Sequence, residues 1–434
     1  MLPTFSSNRF ERLGSVPNEA LVVWKLGVKP QDPSVLGEIF DKVSDPKHPS
    51  YGRYLNAQEA NALTAPSQED LDAIHTWLGH RRTTFLKSSN VLVIQSTAGE
   101  LRKLTSSDIA EYTDKTRISP RRILRSATAI SLPIHIKNTI TFTSLNSLPM
   151  ELKHLHAEMN QFKASDLITP TKLRQLYNVP ELSVSMANQS APAFYQQNWS
   201  PADLKYFENL YNLPSARVLQ KGNRVNNPNN ATGEVSLDLQ YITAMAPNAT
   251  TTVWTMNGSN PYSSDDEPFL EWATQVLDDP SPPLVHSISY ADDEDHIMTV
   301  AKDYAAHLDT LFQKMAVRGM TVLVASGDDG VAGQRIHSQK MAINEGCSKS
   351  GPQWPSSSPY VTSVGATQLD TNGVEVVCSG ALKGGVTSGG GFSNMYPTPS
   401  YQKDVVITSH REGVRRNNQF FFQSHPFEGA KQVV

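Results

Sequence analysis

The chain has 434 residues, which is long enough for two or three domains and a large core. Its formal net charge of -4 argues against a basic field for binding nucleic acid. No apolar run reaches the roughly 18 residues that a membrane-spanning helix needs. With only two cysteines, Cys347 and Cys378, disulfides cannot hold the fold together, and these two either pair or remain as thiols.

Residues 17–145 are predicted to form a self-contained α+β unit. Residues 1–16 precede it and contain no apolar core of the kind that a secretory signal needs, which favours a missing 5′ exon or an atypical start. Residues 146–165 are polar and predict a linker. Within the unit, apolar spacing predicts two strands and two helices: strands 20–28 and 90–95, and helices 33–43 and 70–78.

Residues 166–402 alternate between strand and helix patterns. This order predicts right-handed crossovers and a parallel sheet with helices on both faces. Functional sites in such sheets lie at the carboxyl ends of the strands. Residues 403–434 carry no fold signal and resemble intron read-through or an alternative end. The predicted strands are 251–256, 284–290, 321–324 and 360–364, and the predicted helix between the second and third of them ends at Gly319.

The first candidate catalytic feature is a pair of acids, Glu234 and Asp238, on a predicted helix over 234–246 that Pro247 ends. The spacing of four residues places both carboxyl groups on one helix face. Two like charges this close resist ionising together, so one pKa rises while the other group stays charged. Such a pair can act as a general base at acidic pH, where a histidine is protonated. Spacing alone favours the alternative, which is a solvated pair on a surface helix.

The second candidate is Asp328, which follows the predicted strand 321–324 through Ser326 and Gly327. An acid at a strand tip lies where a reacting group can bind. If its carboxyl group is neutral, it can donate a hydrogen bond to an oxyanion. The alternative is an ordinary turn aspartate, because Asp329 and Gly330 form a typical turn pair.

Two further segments are candidates for contacts with a ligand. The glycine-rich run Ser388, Gly389, Gly390 and Gly391 lacks the lysine of a phosphate loop, so it predicts either close backbone approach to a ligand or a plain loop. The acidic run 292–295 predicts a solvated loop, or a surface that attracts the positive amino end of a substrate. The 12 histidines have no metal-ligand spacing, so no metal site is predicted.

Asn-x-Ser/Thr sequons indicate the compartment. Five of them within about 70 residues favour a lumenal or secreted glycoprotein. The candidate acceptors are Asn188, Asn198, Asn230, Asn248 and Asn257.

Taken in order, the motifs of the chain resemble the sedolisin family of serine-carboxyl peptidases, most closely its tripeptidyl-peptidase branch. The match runs from about residue 17 to residue 402. The segments that carry it are 43–55, 234–241, 267–272, 289–295, 325–328, 354–365, 388–394 and 396–402.

The resemblance implies a prosegment over about 17–160 that inhibits the enzyme until it is removed, and then a subtilisin-like peptidase domain. Residues 167–178 match the start of the mature enzyme. Glu234 matches the family's general base, Asp238 the acid that supports it, and Asp328 the oxyanion donor. Members cleave peptides at acidic pH, and the tripeptidyl-peptidase branch releases tripeptides from free N-termini in the lysosome.

The chain departs from the family in its last part. The family's nucleophile lies in a Gly-Thr-Ser motif, which does not occur in these 434 residues. The family's calcium ligands are expected beyond residue 402 and are missing here. We therefore expect a peptidase by descent that is inactive alone. The alternative is a non-catalytic chain that binds and masks an active sedolisin.

Overall fold

A computed structural model describes residues 10–114, 122–128, 130–145, 167–180, 187–258, 268–335 and 351–403. The predicted linker, Cys347 and nearly all of the predicted tail lie outside these residues. None of the described helices is both long and apolar enough to cross a membrane.

The N-terminal part of the chain is α+β, as its spacing predicts. Its strands are β1 (Phe10–Ser15), β2 (Leu21–Val28), β3 (Arg82–Leu86), β4 (Val91–Thr97), β5 (Ile109–Asp114), β6 (Arg122–Ser126) and β7 (Ile140–Thr143). Its helices are α1 (Val35–Ser44), α2 (Ala57–Leu63), α3 (Gln68–Leu78), α4 (Ala98–Thr105) and α5 (Ile134–Lys137).

These strands form two antiparallel sheets, in the orders β3-β4-β2-β7 and β1-β5-β6. The alternation of β2 places Val22, Trp24 and Leu26 in one apolar core with Ile74 of α3 and Ile94 of β4. The described domain begins earlier than the expected residue 17, because β1 already pairs with β5.

The remaining described residues alternate between strands and helices. The strands are β8 (Gln189–Ala193), β9 (Arg217–Gly222), β10 (Thr250–Thr255), β11 (Val285–Ile288), β12 (Asp292–Asp293), β13 (Thr321–Ala325), β14 (Gln353–Trp354), β15 (Thr362–Val364), β16 (Thr367–Leu369) and β17 (Glu375–Val377). The helices are α6 (Pro170–Leu176), α7 (Pro201–Leu210), α8 (Gly233–Met245), α9 (Phe269–Asp278), α10 (Glu294–Val300) and α11 (Lys302–Val317).

Six of these strands form one parallel sheet in the order β15-β13-β11-β8-β10-β9, flanked by helices. The α/β class and the parallel sheet predicted from the sequence are therefore confirmed. Strands β8 and β9 were not predicted. β8 is short and contains Pro192, and β9 carries exposed polar residues, so neither has the apolar run typical of a buried parallel strand.

The described residues separate into two compact units. One contains residues from 1–151, 256–282 and 300–320, and the other contains residues from 152–255, 283–299 and 321–434. Helices α9 and α11 therefore belong to the first unit, whereas the sequence predicted a single boundary near residue 166. In that unit, Leu36 and Val43 of α1 pack with Val317 of α11. The parallel sheet lies wholly in the second unit.

Candidate active site

Helix α8 carries the acid pair and is anchored at both its apolar face and its C-terminus. Val235 and Leu239, one turn apart, are buried in a cluster with Ala193 of β8 and Val253 of β10. The guanidinium group of Arg174 donates to the carbonyl oxygens of Ala244 and Met245, at 2.6 Å and 3.1 Å. A cation at this end satisfies carbonyl groups that have no partner within the helix.

This packing decides which side of the helix the acids occupy. Glu234 and Asp238 each precede one of the two buried residues, so they lie about 100° around the helix from the core face. Leu237 is 54% exposed and marks the solvent side. Glu234 and Asp238 are both partly buried, on the flank between these faces. The solvated surface pair is therefore not what the structure contains.

The Asp238 carboxyl group is held by a residue that the sequence analysis did not select. The hydroxyl group of Ser289, the first residue after β11, donates to Asp238 Oδ1 at 2.9 Å. The other oxygen, Oδ2, is buried and accepts no hydrogen bond from the described residues. Burial, and next the charge of Glu234, raise the pKa of Asp238 to about 7, while the Ser289 hydrogen bond opposes that rise.

Strand register brings Asp238 and Asp328 to the same edge of the sheet. Ile288 of β11 pairs with Val324 of the neighbouring strand β13, both in the parallel direction. Ser289 and Asp328 follow the carboxyl ends of these two strands, which lie about 4.8 Å apart. Because Ser289 binds Asp238, the helix-borne acid and the strand-tip acid share one edge, as the sequence analysis expects for a parallel sheet.

Asp328 lies at a strand tip that the glycine-rich segment holds through its backbone. Its carbonyl oxygen accepts from the amide of Thr387 at 2.7 Å, and the carbonyl oxygen of Gly327 accepts from the amide of Gly389 at 2.8 Å. The Asp328 side chain is exposed as a whole, yet partial desolvation of its carboxyl group raises its pKa. This direction favours the neutral acid at low pH.

The glycine-rich segment approaches the protein's own backbone closely. A Cβ atom at Gly389 would overlap the carbonyl oxygen of Ser326, whereas one at Gly390 would meet open space. This contact does not decide between the two interpretations of the run, because the close neighbour of Gly389 is the strand tip that carries Asp328 and not a ligand. Contact of the run with substrate stays a prediction.

A buried glutamate holds the far end of this segment. Glu294 is 1% exposed, and its two carboxyl oxygens accept from the hydroxyl group of Ser393 and from the amide of Asn394, the latter at 2.8 Å. The segment is therefore fixed at both ends, by Gly327 and by Glu294. The solvated loop predicted for 292–295 is wrong for Asp292, Asp293 and Glu294, which are each 1% exposed and form β12 and the start of α10.

The sequons differ in their surroundings. Asn188, Asn230, Asn248 and Asn257 are exposed. Asn198 is buried: its Nδ2 atom donates to the carbonyl oxygen of Gln196, and its Oδ1 atom accepts from Arg224. The folded chain therefore has no room for a glycan at Asn198, and the sequence expectation is corrected at that position.

Metal chemistry has no support among the described residues, where no group of three or more histidine, cysteine or acidic side chains is arranged to hold an ion. The resemblance places the calcium ligands beyond residue 402, and that expectation stays a prediction. We assign no chemical step to that ion.

Ser289 and Glu294 support the candidate site through hydrogen bonds, and neither was selected from the sequence. Ser289 could have been noted as the first residue after a predicted strand, where sites of parallel sheets lie. Its bond to Asp238 joins residues 51 positions apart, which no local pattern encodes. Glu294 lies in the acidic run, and only its burial distinguishes it from a solvated charge.

Known proteins resemble the chain over most of its length. Residues 8–146 match the family model of the pro-kumamolisin activation domain. Tripeptidyl-peptidase 1 of Mus musculus is 30% identical over 415 residues, which cover 91% of this chain and 69% of the relative. The enzyme of Rattus norvegicus is 31% identical over 418 residues, with the same coverage.

Among solved structures, Pseudomonas sedolisin, a serine-carboxyl proteinase, aligns with 21% identity and a TM-score of 0.39, covering 55% of this chain and 66% of that one. A score this low supports no argument about the fold. The fold class is therefore assigned from the strand order of the parallel sheet alone.

We predict that Gly389→Ala destabilises the second unit by roughly 2–4 kcal/mol, because the new Cβ atom displaces backbone at the Asp328 strand tip. Gly390→Ala is the matched control and should change the free energy of unfolding by less than about 0.5 kcal/mol. Urea denaturation followed by tryptophan fluorescence measures both. Equal effects of the two substitutions would contradict the close approach.

We predict that Asp238→Asn changes how stability depends on pH. The folded state binds the Asp238 proton more tightly than the unfolded state, whose pKa is near 3.8. The resulting stabilisation is fully present below about pH 4 and is lost as the pH rises through about 7. The asparagine side chain cannot ionise, so the variant does not lose this stabilisation. From pH 5 to pH 8, its free energy of unfolding relative to the wild type should therefore increase by on the order of 1–3 kcal/mol.

Denaturant titrations at both pH values test this expectation. Asp203→Asn on α7, where the side chain is exposed, is the control and should show the same difference from the wild type at pH 5 and pH 8. If Asp238→Asn behaves like this control, the folded protein does not retain a proton at Asp238.

Proposed function

We propose an acid peptidase function for this chain, since it belongs to the sedolisin family of serine-carboxyl peptidases and is related to tripeptidyl-peptidase 1. The observation that carries the proposal is the acid pair on α8, joined through Ser289 to the sheet edge that presents Asp328. The proposed reaction is release of tripeptides from the free N-termini of peptides.

In this proposal Glu234 is the general base. Asp238 is neutral at acidic pH, because burial and next the charge of Glu234 raise its pKa to about 7, and Glu234 is proposed to carry the negative charge of the pair. Glu234 accepts the proton of an attacking serine hydroxyl group, whose oxygen bonds to the peptide carbonyl carbon. The same proton passes to the leaving amine as the C–N bond breaks, and water then releases the acyl group by the reverse sequence of proton transfers.

Asp328 is the proposed oxyanion donor. The raised pKa of its carboxyl group supports a neutral acid at low pH, and a neutral acid has an O–H that can donate to the developing oxyanion. Ser388, Gly389, Gly390 and Gly391 are proposed to line the peptide-binding cleft beside it. Their support is the backbone bond between Gly389 and Gly327.

The serine hydroxyl group is proposed to come from outside these 434 residues, in which no Gly-Thr-Ser motif occurs. We expect the purified 434-residue chain to give no turnover of a fluorogenic tripeptide amide at pH 4, since without the nucleophile no acyl-enzyme forms. Hydrolysis that Glu234→Gln abolishes would contradict this expectation.

A product whose transcript continues into a Gly-Thr-Ser exon tests the peptidase proposal itself. We expect it to react with a fluorophosphonate probe and to hydrolyse the tripeptide amide, and Glu234→Gln to slow both by roughly 10²–10⁴-fold. Glu69→Gln on helix α3 is the matched control and should leave both rates unchanged. A folded product that neither reacts nor hydrolyses would overturn the proposal.

A second function is favoured by the match of residues 8–146 to an activation domain, together with the continuous apolar core of that region. In this alternative the chain is non-catalytic and masks an active sedolisin. We expect titration of the 434-residue chain into an active tripeptidyl peptidase to inhibit it, and Leu26→Ala, which opens the buried core, to weaken that inhibition. Leu21→Ala, at a site 83% exposed in the same strand, is the control. No inhibition at micromolar concentration would exclude the alternative.

Further assignments follow the family and belong to the same proposal. The N-terminal domain is proposed to act as an intramolecular inhibitor of its own peptidase domain. The proposed location is the lysosome or the cell exterior, with glycans on Asn188, Asn230, Asn248 and Asn257. Exposure of these four asparagines supports the glycan assignment.

A further inference from the structure

The side chain of Ser289 joins α8 to the carboxyl end of β11 at the acid pair. Its hydroxyl group has a single proton, and that proton is directed to Asp238 Oδ1 at 2.9 Å. Ser289 follows directly on Ile288, which is 1% exposed and fixed in the sheet by its pairing with Val324. The donor is therefore held by a rigid element and does not depend on a loop for its position.

The two carboxyl oxygens of Asp238 therefore differ in their hydrogen bonding. A carboxyl oxygen that bears a proton is a poorer acceptor than its partner, so donation by Ser289 to Oδ1 favours placing the carboxyl proton on Oδ2. Oδ2 is buried and accepts no hydrogen bond from the described residues. A buried polar atom left without a partner costs roughly 1–3 kcal/mol, whether it is a donor or an acceptor. A proton on Oδ2 therefore needs an acceptor, and the Glu234 carboxylate, one helical turn away, is the one we propose.

We propose that Ser289 is a positioning residue that fixes the orientation of Asp238 and confines the proton of its neutral carboxyl group to Oδ2. This inference rests on the proposed function, in which that proton stabilises the ionised Glu234 one helical turn away. In this proposal Ser289 acts through Asp238, to which its hydroxyl group donates.

Of the charged groups around Asp238 among the described residues, Glu234 is the one that raises its pKa, next after burial. Arg174, from α6, is engaged by carbonyl groups at the far end of α8. From α7, the carboxyl group of Glu208 accepts from the amide of Ala216 and from Lys205. Asp328 lies beyond the end of the next strand.

The test is a carboxyl titration of the 434-residue chain by ¹³C NMR with ¹³Cγ-labelled aspartate, in which Asp238→Asn identifies the signal. Ser289→Ala removes a donor to the ionised form, so we expect the Asp238 midpoint to rise by about 0.5–1 unit. Ser289→Thr keeps the hydroxyl group and should stay within about 0.2 unit of the wild type. Ser289→Cys, nearly isosteric with a weaker donor, should fall between them.

An unchanged or lowered midpoint in Ser289→Ala would overturn the proposal, as would a rise of the same size in Ser289→Thr. If Ser289→Ala does not fold, Ser289→Cys is compared with Ser289→Thr instead. An Asp238 midpoint that is no higher in Ser289→Cys than in Ser289→Thr would then overturn the proposal. The titration needs neither nucleophile nor substrate. A failure of the peptidase proposal would therefore appear in the hydrolysis assays and leave this measurement unaffected.

Discussion

The candidate site depends on the partial burial of two carboxyl groups that are one helical turn apart. In water both would ionise, and their repulsion would be screened. On the flank of α8, burial and the charge of Glu234 raise the pKa of Asp238 to about 7. Asp238 therefore keeps its proton at acidic pH, where its ordinary pKa would leave it ionised, and the two carboxyl groups differ in how readily they ionise.

The rest of the fold keeps that flank at the sheet edge. Val235 and Leu239 hold the helix against β8 and β10, and Arg174 secures its C-terminal carbonyl groups. Ser289 then links the helix to β11. On the neighbouring strand, Asp328 is held through backbone contacts that require glycine at position 389. The Ser289 hydrogen bond and the backbone contacts at the strand tip thus place Asp238 and Asp328 at the same edge of the parallel sheet.

The sequence predicted much of this arrangement, because its parts are local. Helix α8, strands β10, β11 and β13, and the carboxyl-edge position of Asp328 all follow from apolar periodicity and strand order. What could not be predicted is non-local. The central strand β8 contains Pro192, the burial of Glu294 has no periodic signature, and the Ser289 contact spans 51 residues. The grouping of α9 and α11 with the N-terminal residues in one compact unit is likewise non-local, while the boundary near residue 166 stays a prediction.

The burial of Asp238 makes both the proposed chemistry and the stability of the fold depend on acidic pH. At acidic pH Asp238 is protonated, so its burial carries no cost of desolvating a charge. This is also the state in which Glu234 is proposed to act as the base. Towards neutral pH, ionisation of Asp238 places a second charge beside the first in a partly desolvated position, which favours unfolding. A histidine base would show the reverse dependence, because it loses its accepting nitrogen below its pKa. An acid pair in this setting therefore makes the fold more stable at acidic than at neutral pH, through the cost of its own ionisation and before any substrate is considered.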